Sequence, residues 1–163
     1  MTTPWKAAAE QRMIAATRTF DAPRELVWRA FTDPEMITNW WGPEGFSTTT
    51  HERDLRPGGV WRHTMHGPDG TDYPNYTEFI DVVEPERLVY RNSGDETFSS
   101  DHTFTSTVLF REIGEGKTEL SFTMIFASAK GREEAAKFGA VEGLDQTLER
   151  FRRHLDDILG ENK

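Results

Sequence analysis

The sequence predicts an α+β fold: a seven-stranded antiparallel curved sheet wrapped around a long C-terminal helix, with two short helices after the first strand. Three observations predict it. Period-two patterning with frequent turn residues fills the middle of the chain. The connections there are too short for the crossover helices that parallel strands need. After Ala127, apolar residues recur every three or four positions, as on one face of an amphipathic helix.

Residues 1–11 carry no sustained period and are predicted to form a flexible N-terminal arm. A single domain is therefore placed at residues 12–160. Its first element is the β-prone run from Arg12 to Phe20, which is predicted to be a strand.

Two short helices are predicted to follow this strand. Asp21 can cap a helix, and Pro23 has the fixed φ that suits a first helical turn. Asp33 and Pro34 repeat the same signal, which predicts a second short helix through Trp41.

Six more strands are predicted, separated by turns rich in glycine and proline. They span Phe46 to Leu55, Val60 to His66, Tyr73 to Val83, Leu88 to Asn92, His102 to Glu112 and Thr118 to Ala127. One long helix of about 30 residues completes the chain. Gly139 and Gly143 cost that helix about 1 kcal/mol each relative to alanine. Either a close approach of helix and sheet or room for a ligand would offset this cost.

Composition narrows the function classes. The 163 residues include no cysteine, which excludes disulfides and thiolate chemistry and favours a cytoplasmic location. The formal net charge of −9 disfavours a nucleic-acid partner, and no run is long enough for a membrane span. Five Trp, three Tyr and eleven Phe are more aromatic residues than a small core needs.

Ordered sequence blocks carry a family resemblance that covers the chain from about Ile14 to Leu159. These blocks are Phe20-Asp21-Ala22-Pro23, Val27 to Pro34, Trp40-Trp41-Gly42-Pro43, Pro57-Gly58-Gly59, Met65 to Gly70 and Pro85-Glu86-Arg87-Leu88. The chain resembles the START-like (SRPBCC, Bet v 1-like) superfamily, and within it the branch similar to the C-terminal domain of the activator of Hsp90 ATPase. The resemblance implies a helix-grip fold with an internal cavity and members that bind hydrophobic small molecules. It also implies a few cyclase-like or hydrolase-like enzymes and a branch that stimulates Hsp90.

Strand alternation predicts which side chains face the space between sheet and helix. Trp61, His63 and Met65 form the more apolar set of their strand, and Tyr76 with Glu78 is weakly favoured on the next. The predicted ligand cavity is lined by Trp41, Trp61, His63, Met65, Tyr76, Tyr90, Phe104, Phe122, Met124, Phe138 and Leu144. The same apolar residues could instead fill an ordinary core.

Pairing across the turn from Gly67 to Asp72 would bring His63 near Tyr76 and Trp61 near Glu78, although a one-residue slip would undo it. In that register His63, Glu78 and Tyr76 are weak candidates for acid–base catalysis. His63 as a buried core histidine is the competing interpretation. The three-residue spacing of His63 and His66 suits no shared metal site, and no cofactor is predicted.

The leading functional hypothesis is therefore a protein that binds a small hydrophobic or amphipathic molecule in an internal cavity. One alternative is a cyclase-like or hydrolase-like enzyme acting on an aromatic or polyketide-like substrate. Another is a co-chaperone-like protein that uses its surface to bind an Hsp90-type partner. A homodimer through a sheet edge or the long helix is compatible with the pattern.

Overall fold

A computed structural model describes residues 11–95, 97–98 and 103–161. The predicted N-terminal arm lies outside the described residues except for Gln11, as does His102, where one strand was predicted to begin.

Seven antiparallel strands form one sheet, which confirms the predicted fold class. They are β1 (Met13–Phe20), β2 (Ser47–Arg53), β3 (Val60–His66), β4 (Asp72–Val83), β5 (Arg87–Ser93), β6 (Phe104–Gly114) and β7 (Lys117–Phe126). Their order across the sheet is β1-β7-β6-β5-β4-β3-β2, so β1 and β2 are the edges. Every pair of neighbouring strands except β1 and β7 is also consecutive in the chain, as the short turns between them require.

The first short helix, α1 (Arg24–Thr32), begins directly after Pro23. No side chain caps its N-terminus, so the prediction that Asp21 caps it is wrong. An Asp21 carboxylate oxygen lies 3.7 Å from Lys117 Nζ instead.

The second short helix, α2 (Pro34–Ile37), has the predicted cap. The Asp33 carboxylate accepts hydrogen bonds from the backbone N–H groups of Glu35 and Met36, at 2.8 and 3.3 Å. The helix ends at Ile37 instead of continuing to Trp41, and residues 38–40 form a turn.

Two helices, not one, follow the sheet: α3 (Ala129–Lys137) and α4 (Ala140–Glu161). The predicted single helix is broken at Gly139, whose φ of +88° belongs to the left-handed region and ends α3. Gly139 therefore lies between two helices, so the cost of a glycine inside a continuous helix does not arise at this position. None of the helices in the described part of the chain combines the length and apolar character that a bilayer span requires.

The face of the sheet that packs against α4 is called the concave face here. Over part of it, buried aromatic rings pack between the sheet and the helices. This aromatic core consists of Phe20, Trp28, Phe31, Trp40, Phe110 and Phe151, all of which are buried. Ring centroids of Phe151 lie 4.4 Å from Trp40 and 5.1 Å from Phe20. The Trp40 indole N–H also donates to the carbonyl of Ala30 at 3.0 Å, which fixes the ring.

Candidate functional site

A cleft of about 500 Å³ lies beside the aromatic core, between the concave face and the N-terminal half of α4. Strands β6 and β7 contribute Phe104, Phe122 and Met124 to its wall, and α4 contributes Gly143 and Leu144. The cleft reaches solvent at the α3–α4 junction, where Phe138 is 86% exposed.

Small residues on α4 and a tightly held loop shape the mouth of this cleft. A Cβ atom at Gly143 would approach Pro43 Cγ to 3.3 Å, so a larger residue would press on the loop that borders the cleft. Arg150 Nη1 donates to the carbonyls of Gly42 and Pro43, at 2.9 and 3.0 Å. The loop after α2 is thereby tied to α4, and the edge of the cleft is fixed in place.

Most of the predicted lining residues border the cleft. They are Trp41, Met65, Tyr90, Phe104, Phe122, Met124, Phe138 and Leu144. The two adjacent tryptophans both border the cleft but differ in burial: Trp40 is fully buried and belongs to the aromatic core, whereas Trp41 is half-buried. A role for any of these residues in ligand contact stays a prediction.

Trp61 and His63 face inward, as alternation predicts, but they lie deeper than the cleft. The two rings stack at a centroid distance of 3.7 Å, and His63 is only 1% exposed. Trp41 makes edge contacts with both rings, at 5.2 Å from Trp61 and 6.4 Å from His63. Trp41 therefore contacts the stacked pair and also borders the cleft.

Tyr76 and Glu78 do not join His63, because the predicted register is wrong by one residue. His63 pairs with Asn75 and Trp61 pairs with Thr77. The turn from β3 to β4 contains five residues, Gly67 to Thr71, and His66 pairs directly with Asp72. Such a shift moves every side chain of a strand to the opposite face of the sheet.

On that opposite face, Tyr76 packs against Phe98 at a centroid distance of 5.5 Å. A Glu78 carboxylate oxygen lies 3.3 Å from Arg91 Nε. The predicted cluster of His63, Tyr76 and Glu78 is therefore not assembled.

His63 is a neutral imidazole at physiological pH. Burial, together with the smaller effect of the positive charge of Arg53, lowers its pKa from 6.5 to about 3. Within the described residues, neither ring nitrogen has a hydrogen-bond partner that meets distance and angle criteria. Without a neighbouring carboxylate such as Glu78, the imidazole lacks the group that would tune it for acid–base work.

Arg53, at the end of β2, was missed by sequence reasoning. Its guanidinium carbon lies 4.6 Å from the centroid of Trp61, and Nη2 donates to the carbonyl of Thr32 at 3.1 Å. The charge therefore faces an aromatic ring and the negative end of α1, both of which stabilise it. Burial lowers its pKa to about 10, so it stays charged at neutral pH. The cross-strand pair Arg53–Trp61 would have revealed this position only once the register was known.

Polar residues at one end of the cleft were missed as well. Asn75, Asn92 and Ser93 border it from the neighbouring strands β4 and β5. Asn92 shares the inward face of β5 with Leu88 and Tyr90, so strand alternation could have identified it. Its side-chain amide donates to Thr77 Oγ1 at 2.8 Å.

No cluster of three or more metal-ligating side chains occurs in the part of the chain that the structure describes. The polar groups among the described residues that border the cleft are hydroxyl, amide and indole groups, and the rest of its wall is mainly apolar.

Comparison with known proteins gives one family. Residues 21–156 match the family described as activator of Hsp90 ATPase homolog 1-like protein. A search of curated protein sequences gives no match.

Solved structures share the fold over nearly the whole chain. A protein from Arthrobacter aurescens is 24% identical with a TM-score of 0.83, and the match covers 91% of this chain and 88% of that one. A protein from Nitrosomonas europaea is 23% identical with a TM-score of 0.82, covering 92% and 97%. A protein from Mycobacterium smegmatis is 26% identical with a TM-score of 0.77, covering 90% and 92%.

Proposed function

The chain belongs to the activator of Hsp90 ATPase homolog 1-like family, and on that premise we propose that it binds a small hydrophobic or amphipathic molecule in the cleft. The observation that carries the proposal is the cleft itself. Its volume of about 500 Å³ lies in the range typical of small-molecule sites, and its wall is mainly apolar.

The neighbouring aromatic core argues that the cleft is a built feature of the fold. Protein interiors are normally packed to the density of organic crystals. Bulky rings achieve this around Phe151, yet the same helix presents Ala140 and Gly143 to the cleft. Small residues there leave space that longer side chains could have filled.

A titration with the neutral fluorescent dye Nile red tests this function. Native protein should bind the dye saturably, with one site per chain. Ala140→Trp places an indole in the cleft, so we expect dye affinity to fall at least about tenfold. Ala136→Trp, on α3 and outside the cleft lining, is the matched control and should bind as the native chain does. Native protein that shows no saturation, or equal binding by the two variants, would contradict the proposal.

No observation favours an enzyme, because the three residues predicted to carry catalysis are divided between the two faces of the sheet. A surface role with an Hsp90-type partner and a homodimer through a sheet edge or the long helix stay predictions. Sedimentation of the purified chain would test for the homodimer directly.

We also propose a cytoplasmic location, which the lack of cysteine supports because such a chain needs no oxidising compartment. Fractionation of the source cells, followed by immunodetection, tests it. Recovery of the protein outside the cytoplasmic fraction would contradict it.

A further inference from the structure

The proposed function leaves open which end group the bound molecule carries, and the cleft wall bears on this. Among the described residues, none that borders the cleft is a carboxylate, a lysine, an arginine or a histidine. A charged group that entered would lose its hydration without gaining a counter-ion. Arg53 does not compensate, because it lies outside the lining with its charge directed to Trp61 and Thr32.

The polar groups of the cleft are gathered at one end. Asn92 pairs with Thr77 across β4 and β5, and Ser93 pairs with Tyr76, so both lie beside the segment that carries Asn75. Strands β6 and β7 and helix α4 contribute mainly apolar side chains to the lining. An elongated molecule would therefore lie with its apolar part along α4 and its polar end against β4 and β5.

Existing hydrogen bonds orient these polar groups. Asn92 is 8% exposed, and its amide nitrogen donates to Thr77 Oγ1 at 2.8 Å. The Asn75 amide nitrogen donates to the carbonyl of Tyr73 at 2.9 Å. Within the described part of the chain, the amide oxygens of both residues have no hydrogen-bond partner, and each amide keeps one further N–H.

The Ser93 hydroxyl does not belong to this set. Ser93 pairs with Tyr76, whose side chain lies on the opposite face of the sheet, and its oxygen accepts from Thr103 Oγ1 at 3.3 Å. The two amides alone give the polar end both acceptors and donors without net charge. A hydroxyl or an uncharged amide can satisfy both kinds of group, whereas a carboxylate only accepts and carries a charge.

From these contacts we propose that the cleft selects an uncharged apolar molecule that ends in a hydroxyl or amide group, held by the side-chain amides of Asn75 and Asn92. This inference rests on the proposed function, since it assigns the end-group chemistry of the same site.

Competition against bound Nile red tests it with four probes that share one alkyl chain: decanol, decanamide, decanoate and decylamine. At pH 7 we expect decanol and decanamide to displace the dye at concentrations at least about tenfold lower than decanoate and decylamine do, because only these two charged probes must bury a charge. Equal displacement by decanoate would overturn the inference. It would leave the proposed function standing, which fails only if Nile red itself does not saturate.

A charge substitution provides the second arm. Asn92→Asp replaces the amide N–H that donates to Thr77 Oγ1 with a carboxylate oxygen that can accept from the Thr77 hydroxyl. The carboxylate adds a negative charge beside the cleft, so decylamine should gain at least about tenfold relative to decanol. Asn39→Asp adds the same charge at a residue outside the cleft lining and should leave the order of the probes unchanged. An equal gain for decylamine in both variants would overturn the inference, because the effect would then come from net charge and not from the polar end.

Discussion

The two halves of α4 face very different surroundings on the same concave face. The C-terminal half inserts Phe151 among the rings of Phe20, Phe31 and Trp40. The N-terminal half presents Gly143 to a space that remains open to solvent. The C-terminal half of the helix therefore packs closely against the sheet, whereas the N-terminal half leaves the cleft open. The difference lies in side-chain volume, since both halves follow the same helical period.

The largest expected effect comes from emptying the aromatic core. Phe151→Ala should lower the free energy of unfolding by about 3–5 kcal/mol, because the fully buried ring leaves a cavity that its neighbours cannot collapse into. Leu144→Ala, on the cleft side of the same helix, should cost about 2 kcal/mol, the lower end for a buried leucine, because adjacent space is already empty. Urea unfolding of both variants measures the difference. Equal losses would show that the two halves are packed alike.

The pH dependence of the free energy of unfolding tests whether His63, a polar residue of the packed interior, is buried and neutral in the fold. The pKa of His63 is about 3 in the fold against 6.5 in the unfolded chain, so the unfolded state binds more protons between these values. This residue therefore makes the free energy of unfolding fall as the pH drops below 6.5, by up to about 1.4 kcal/mol per pH unit, and leaves it unchanged at higher pH.

Replacement of the imidazole removes that dependence. Between pH 6.5 and about pH 4.5, the free energy of unfolding of His63→Leu should fall by roughly 2–3 kcal/mol less than that of the native protein. Urea unfolding across that pH range measures this difference. If the leucine variant keeps the full slope, His63 is not the buried neutral group described above.

The smallest effect on stability is expected at the mouth of the cleft. Phe138 is 86% exposed, so Phe138→Ala should change the free energy of unfolding by no more than about 0.5 kcal/mol. It should nevertheless weaken Nile red binding, since the ring borders the cleft. Ile113→Ala, at an exposed apolar residue outside the cleft lining, should leave dye binding unchanged. Dye binding by Phe138→Ala at native affinity would remove this residue from the site.

Sequence patterns predicted the sheet, its strand number and the position of the C-terminal helices, because period and turn chemistry are local signals. The inward positions of Trp61 and His63 followed from alternation on a single strand. The register between β3 and β4 did not, since it depends on whether the turn takes five residues or six. With a six-residue turn, Glu78 would face the same side of the sheet as His63; with five residues it faces the opposite side.

The helix break and the buried arginine show a second limit. Gly139 ends α3 through a left-handed φ, which the amphipathic period of the surrounding residues conceals. Arg53 is stabilised by Trp61 and by the carbonyl end of α1, two partners that are distant in sequence. Eight of the eleven residues predicted to line the cavity nevertheless border the cleft, since alternation and helical period both point toward the concave face.

The central claim, that the cleft beside α4 is the ligand site, is tested most directly by mapping amide chemical shifts of ¹⁵N-labelled protein during titration with decanol. We expect saturable changes concentrated at Asn92, Ser93, Gly139 and Gly143, with little change around Phe151. Changes centred on Tyr76 and Arg91, on the opposite face of the sheet, or no saturable change at all, would contradict the claim.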